Sequence, residues 1–312
     1  MPPLVQSLFD GPLDIAGDVH GEIHALCSLM QHLGYESEGS HPEGRRLVFV
    51  GDLTDRGPDS PAVVDLVKSL VESGRAQCVL GNHDFNILRD HPKKENRWFY
   101  GKVFKAKDGE YAKDGTVVPQ VLANDMIRER VLAFFRTLPI ALVRKDLRVV
   151  HACWDNEMIE IVRNATDTVS LFDNQAALID SELASMCDTD DIDKGLQHQN
   201  CNPVKLLTSG PEERAESPEY HGDRWRNERR VLWWNNYRDD PLCVFGHYAL
   251  CDGESRGKGS AFCVDFGVGY RWAERQEAKT NGFRCRLAVL RLPERMVVFD
   301  NGEKRQYSEP AQ

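Results

Sequence analysis

The chain has no CxxC pair, no excess of basic charge, no apolar run long enough to cross a bilayer and no internal repeat. Each absence removes a class of protein. The nine cysteines (27, 78, 153, 187, 201, 243, 251, 263 and 285) are odd in number, and several sit inside apolar stretches such as Ala76-Gln77-Cys78-Val79-Leu80. They read as small buried thiols of a reducing compartment, not as a disulfide framework. The start, Met1-Pro2-Pro3-Leu4-Val5-Gln6, has neither the basic region nor the apolar core of a secretory leader. With no bilayer-length apolar segment, the expectation is a cytoplasmic protein with no membrane partner. A formal net charge of −10 argues against tracking extended nucleic acid, where affinity comes from phosphate neutralisation. A local basic pocket for one phosphate or one nucleotide end stays compatible with it.

What is present is globular. The 312 residues have ample length for a core, and the balance of charged and apolar residues is that of a folded chain. Short Val-, Leu-, Ile- and Phe-rich runs at Leu13–Ala16, Leu47–Val50, Ala76–Leu80, Leu147–Val150, Leu242–Phe245 and Ala261–Val264 fit buried strands. Two more fall at Arg286–Leu290 and Arg295–Phe299. Between the first two, Ile23, Leu26, Cys27, Met30 and Leu33 share one helical face that Gly34 stops. A second helix takes Ser60 as N-cap and Pro61 as first helical residue, buries Val63, Val64, Val67, Leu70 and Val71, and ends at Gly74. Strand-helix-strand-helix-strand predicts right-handed crossovers and a parallel sheet over the first 80 residues.

Three strings follow directly on strand ends: Gly17-Asp18-Val19-His20-Gly21, Gly51-Asp52-Leu53-Thr54-Asp55-Arg56-Gly57 and Gly81-Asn82-His83-Asp84. His151 follows Leu147–Val150, and Gly246-His247 follows Leu242–Phe245. Open α/β sheets bind ligands in the crevice at the carboxyl ends of their strands. Asp18 and His20 offer an oxygen and a nitrogen from one tight turn, Asp52 has two oxygens with which to bridge, Asn82 adds a neutral carbonyl, and His151 and His247 add imidazoles. A mixed N/O set without thiolate suits Mn, Fe, Zn, Co or Ni. A carboxylate-bridged pair of divalent metals generates a bridging hydroxide at neutral pH and clamps both ends of an in-line attack on phosphorus. The expected activity is metal-dependent hydrolysis of a phosphoester.

These strings, with His151 and Gly246-His247, resemble the calcineurin-type metallophosphoesterase superfamily. They are most similar to its phosphoprotein phosphatase branch and bacterial relatives such as diadenosine tetraphosphatases and RNA end-healing phosphatases. The resemblance implies a four-layer α/β/β/α sandwich of two facing mixed sheets, formed by 1–312 as a single domain with insertions near 91–118 and 155–230. It implies two divalent cations, Mn2+ foremost. Asp18 and His20 would ligate the first, Asp52 would bridge, and Asn82, His151 and His247 would complete the second. Arg56 would grip phosphate with Asn82 alongside, and His83, held by Asp55, would protonate the leaving oxygen. The chain departs from the pattern at Asp84 where the protein phosphatases carry Glu, and at Cys153, Tyr248 and Phe266 in the shell around the pocket. The implied substrate is a small phosphomonoester or nucleotide polyphosphate. The alternatives are a serine/threonine phosphoprotein, an RNA 3′-phosphate or 2′,3′-cyclic phosphate, and, from a different class, a non-catalytic scaffold of the same fold.

The remaining features have plainer readings. His24 and His32 fall on the first helix and His41 in a polar loop; Asp265 and Gly267 end a strand near the site. The stretch Arg224-Trp225-Arg226 to Tyr237-Arg238 interleaves cations with aromatics and reads as a helix with packed Trp and covering Arg stems, from which Arg230 reaches a phosphate. Lys93, Lys94, Arg97 and Trp98 read as a solvated loop. A helix is expected over Ser170–Met186, followed by an acidic loop (Asp188, Asp190, Asp191, Asp193) and a polar segment containing Pro203, Gly210, Pro211 and Pro218.

Overall fold

Alternation of side chains along the strands decides the architecture. In Arg46–Phe49 and the residue after it, Leu47 and Phe49 join one apolar cluster while Val48 and Val50 join another. The same split divides Val149 from Val150, Val244 from Phe245, and Phe262 from Cys263. Strands with apolar residues on both faces need cover on both faces. The computed structural model, which describes residues 2–105, 117–186, 189–221, 224–249, 251, 257–276 and 282–307, supplies that cover by setting two sheets face to face. Ile15, Val48, Leu290 and Phe299 of one sheet meet Leu142, Val149, Val244 and Phe262 of the other in the inter-sheet core.

One sheet runs in the order 304–306, 296–299, 288–292, 13–16, 46–49, 76–78. Its strands Leu13–Ala16, Arg46–Phe49 and Ala76–Cys78 are parallel, with Ala16 opposite Phe49 and Phe49 opposite Cys78. The other runs 5–7, 141–143, 147–150, 242–245, 261–263, 257–258, and Leu147–Val150, Leu242–Phe245 and Ala261–Cys263 are parallel. Helices Ile23–Leu33, Ser60–Glu72 and Asp125–Phe135 cover the outer face of the first sheet, and Asn156–Arg163 and Pro203–Ser209 that of the second. The four-layer α/β/β/α arrangement is therefore the one the resemblance implied. Among the described residues no helix is long and apolar enough to cross a membrane.

Some local expectations need correction. Asp59, not Ser60, caps the second helix, its Oδ1 accepting from Ala62 N at 2.9 Å. The Ser60 hydroxyl is turned back to accept from Asp55 N in the second motif. The helix placed at Ser170–Met186 spans Thr168–Ala184, because Asp167 caps it and Ser185 closes it. Asp190 is no loop residue: it caps the helix Asp191–Cys201, and Pro203 opens the helix Pro203–Ser209. The Arg-Trp stretch is not an α-helix. Glu212–His221 and Arg224–Arg230 form an antiparallel hairpin, bulged between Arg226 and Glu228, and only then do the buried Trp233 and Trp234 turn inward. Alternating Arg and Glu on facing strands pair across that hairpin, Arg229 donating to Glu213 at 2.8 Å. Of the expected insertions, 106–116, 187–188 and 222–223 lie outside the described residues, and with them Cys187 and Asp188.

Candidate metal centre

The motif loops are tied together through their main chains. Val19 N and His20 N both donate to Asp52 O, Gly21 N to Leu53 O, and Gly57 N to His20 O, at 2.8–3.0 Å. On the second sheet Gly246 N donates to His151 O at 2.8 Å. The sheets are joined where the sequence placed chemistry: the buried His151 Nδ1–H donates to Val50 O at 2.7 Å, and His247 N donates to the Asp18 carboxylate at 3.2 Å. Five of the seven non-glycine residues with positive φ among the described residues are His20, Asp52, Asp55, Arg56 and His247. Each such conformation costs about 1–3 kcal/mol and persists only where its surroundings over-determine it.

Asp52 lies at the centre. Its Oδ1 accepts from His83 N at 2.9 Å, at the start of helix Asn82–Leu88. Its Oδ2 is 3.3 Å from His151 Nε2 and 3.8 Å from His20 Nε2. Two donor groups share it: His20, Asp52 and His83, and Asp52, His151 and His247, each with ligand atoms within 4.8 Å of one another. Asp18 Oδ2 approaches His20 Nε2 to 3.8 Å. Asn82 Oδ1 faces His247 Nδ1 at 2.8 Å and His151 Nε2 at 3.1 Å. The tautomers are set from outside the crevice. His20 Nδ1–H donates to Thr54 O at 2.9 Å, as His151 Nδ1–H does to Val50 O, so Nε2 is the nitrogen each ring turns inward and the one that carries the lone pair when the ring is neutral.

The charge of the cluster fits divalent cations. Burial, then Asp265 and Asp52, pushes the Asp18 carboxyl well above its ordinary range. Burial pushes His20 well below its own, helped by Arg56, so its nitrogen is a free donor. For Asp52 burial acts upward, but His151 and His83 more than offset it and hold the carboxylate ionised. The space is cleared as well. A Cβ on Gly81 would lie 2.2 Å from Asp52 Oδ1, and one on Gly246 would lie 2.0 Å from Asp18 Oδ1. Buried carboxylates, inward imidazoles and an amide oxygen, with no thiolate among them, form a donor set for borderline or hard divalent metals.

Beside the cluster stands a hydrogen-bonded chain of His83, Asp55 and Trp98. His83 Nδ1–H donates to Asp55 Oδ2 at 2.6 Å, and the indole Nε1–H of the buried Trp98 donates to Asp55 Oδ1 at 2.7 Å. Burial disfavours charge on His83, yet Asp52 and Asp55 together raise it to about 9. Arg56 Nη1 is 3.3 Å from His20 Nε2, Nη2 is 3.3 Å from His83 Nε2, and Nε donates to Glu95 Oε1 at 3.1 Å. Asp84 is buried, accepting from Leu53 N and from Thr54 Oγ1 at 2.9 Å, with its pKa pushed up to about 7 by burial and by Asp52. Arg230 Nη1 reaches the His247 carbonyl oxygen at 3.2 Å from the hairpin. Asp265 accepts from Gly267 N at 2.8 Å and adds its charge beside Asp18, so it shapes both turn and field.

The structure thus brings all ten sequence-selected residues to one crevice. Trp98 overturns the reading of a solvated loop: it is buried and holds Asp55. Sequence reasoning also missed Glu95. Trp98, next to Phe99 in an otherwise polar stretch, was the available signal that this segment returns to the core.

The family model of the calcineurin-like phosphoesterases matches residues 11–159. That match covers just under half of the chain. Among curated relatives, the bis(5′-nucleosyl)-tetraphosphatase PrpE [asymmetrical] of Anoxybacillus flavithermus is 34% identical over 142 residues, 45% of this chain and 55% of that protein. The chain thus spans about half the length of such a relative. The equally named protein of Oceanobacillus iheyensis is 28% identical over 250 residues, 75% of this chain and 85% of its own. Among solved structures, the cold-active protein-tyrosine phosphatase of a Shewanella species superposes with a TM-score of 0.51, at 14% identity over 99% of this chain and 83% of that one. That likeness concerns the fold. His247 lies beyond the family match, and its place in the candidate metal centre rests on the geometry above.

Proposed function

We propose that this chain hydrolyses bis(5′-nucleosyl) polyphosphates at a phosphoanhydride, using two divalent cations. The observation that carries the reading is the shared Asp52 carboxylate, common to two donor groups at the crossing of the two sheets. In this reading Asp18, His20 and Asp52 hold one cation, and Asp52, Asn82, His151 and His247 the other. Bound there, Mn2+ (or Fe, Zn, Co or Ni, by the same donor chemistry) would supply Lewis-acid charge at phosphorus and a water activated at neutral pH. The residues of the chain do the rest. Arg56 presents Nη1 and Nη2 to phosphoryl oxygens, because its Nε is already committed to Glu95. Asn82 and Arg230 contact the phosphate from the other side. His83, protonated near neutral pH, delivers its Nε2 proton to the leaving oxygen, while Asp55 and Trp98 keep Nδ1 and the ring plane fixed.

The substrate class follows the relatives' printed activity; a cytoplasmic dinucleotide accords with an acidic chain that has one small basic locus. The test is a substrate panel with manganese, with and without chelator: diadenosine tetraphosphate, a phosphopeptide, an RNA 3′-phosphate and p-nitrophenyl phosphate. Chelator-sensitive release of nucleotides from the dinucleotide, faster than from the other three, is expected. Preferred cleavage of the phosphopeptide or the RNA end would overturn the substrate assignment. A folded, metal-loaded chain that cleaves nothing would leave a scaffold.

A further inference from the structure

Glu95 lies outside all three motifs, yet its carboxylate occupies the phosphate side of the crevice. Oε1 accepts from Arg56 Nε at 3.1 Å, and Oε2 is 3.9 Å from His83 Nε2. Its side chain is 35% exposed, so a surface position is open to it. The chain around it prevents that drift. Asn96, the next residue, is buried, its Oδ1 accepting from Lys93 N at 2.7 Å and its Nδ2 donating to His91 O at 3.1 Å. Two residues further, Trp98 is buried and bonded to Asp55. Glu95 is thereby held over the guanidinium by anchors on its own loop.

The electrostatic consequence is specific. Without Glu95, a phosphoryl group would meet Arg56 as a full cation. With it, the group meets a neutral pair and a carboxylate a few ångströms from its own oxygens. A second negative charge on the phosphoryl group therefore costs more here than beside an unpaired arginine. At such separations each added unit charge is worth from a few-fold to more than a hundredfold, depending on the local dielectric. The internal phosphorus of a dinucleotide polyphosphate carries one charge, whereas a terminal phosphomonoester carries nearly two at neutral pH.

We infer that Glu95 is a specificity-determining residue that disfavours dianionic phosphomonoesters and leaves singly charged phosphodiester or phosphoanhydride groups as the preferred substrates. The inference rests on the proposed phosphohydrolase reading and adds the selectivity of the same crevice. Glu95→Gln keeps the shape and the acceptor for Arg56 Nε and removes only the charge.

The test compares wild type and E95Q, full chain and manganese-loaded, on p-nitrophenyl phosphate and bis(p-nitrophenyl) phosphate at one ionic strength. The expected result is that E95Q raises kcat/KM for the monoester over that for the diester by about tenfold or more. An equal change on both esters would overturn the inference, since a gate or a mere holder of Arg56 acts on any phosphoryl group. A fall confined to the monoester would overturn it too. Calorimetric binding of phenylphosphonate at pH 8.5 and of its monomethyl ester provides a readout without turnover. E95Q should tighten the dianion about tenfold more than the monoanion. That second measurement judges the selectivity even if the chain cleaves neither ester, an outcome that would count against the phosphohydrolase reading alone.

Discussion

Replacing His83 tests the proton relay most directly. The ring is buried, its Nδ1–H is fixed 2.6 Å from Asp55 Oδ2, and its other nitrogen faces the crevice 3.3 Å from Arg56 Nη2. Burial opposes its charge, but Asp52 and Asp55 raise it to about 9 in the absence of cations, and the Asp55 hydrogen bond favours the protonated ring. A proton held there matters in proportion to how badly the leaving oxygen needs it. Phenyl phosphate expels a phenol with a pKa of about 10, like a tyrosine side chain, whereas p-nitrophenyl phosphate expels a far weaker base. His83→Asn should therefore lower kcat on phenyl phosphate by about 10²–10⁴, the usual worth of a positioned general acid, and by tenfold or less on p-nitrophenyl phosphate. The two esters carry the same charge, so Arg56 and Glu95 treat them alike and the ratio isolates proton delivery. The assay is steady-state phosphate release from each ester by the manganese-loaded variant, after circular dichroism shows that it is folded. Equal losses on the two esters would refute the relay and reduce His83 to a structural neighbour of Asp52.

Asp52→Asn should lower the bound metal from two equivalents to one or fewer, measured by atomic absorption after desalting, because both donor groups share that carboxylate. Gly57→Ala should destabilise the chain by about 1–3 kcal/mol or more in urea unfolding, since its Cβ would sit 2.1 Å from His20 O, where main chain must move. Arg45→Met should cost about 1–3 kcal/mol while leaving kcat near wild type. The buried Arg45 carries a two-point pairing to Asp14 at 2.9 and 3.0 Å and donates to Leu13 O and Leu292 O, and its loss leaves the buried Asp14 carboxylate with Arg291 and Tyr35 as partners and the two carbonyls without that donor.

How much of this was legible depended on how local the cause was. The strands Leu13–Ala16 and Leu147–Val150 could be bounded to the residue, because each is a short, mostly apolar run broken by a single polar residue, Asp14 or Arg148, and followed at once by Gly17 or His151. Nine of the ten candidate site residues were legible for a related reason. Each stands within a few residues of the carboxyl end of a parallel strand, and such ends meet at one edge, whereas Arg230 lies on the antiparallel hairpin. What failed was set from a distance. Ser60 looks like an N-cap to any rule of local preference, but the hydroxyl is drawn to Asp55 N, and Asp59 takes over the cap. The hairpin Arg224–Arg230 has the charge density of an exposed helix, and only Glu212 and Glu213 on the facing strand make it a ladder. Glu95 and Trp98 were invisible as site residues because their partners, Arg56 and Asp55, lie some 40 residues back in the chain.

The strain of the centre leads to a last expectation. Five left-handed residues at about 1–3 kcal/mol each, with a buried Asp18 whose charge is opposed by Asp265 and Asp52, make the crevice the least favourable part of the fold when considered alone. Cations that bind the assembled crevice, and not the unfolded chain, would offset part of that cost by mass action. At a free cation concentration a hundred times Kd the gain is about 2.7 kcal/mol. With an unfolding entropy of about 2.1 cal/mol/K per residue, that corresponds to a rise in Tm of roughly 4 °C for 312 residues. Scanning calorimetry with manganese and with chelator should show this gap, and Asp52→Asn should abolish most of it. A wild-type Tm that ignores both manganese and chelator would mean that the buried carboxylates are balanced by the histidines alone. The two donor groups would then be an arrangement of the fold, with no cation to hold.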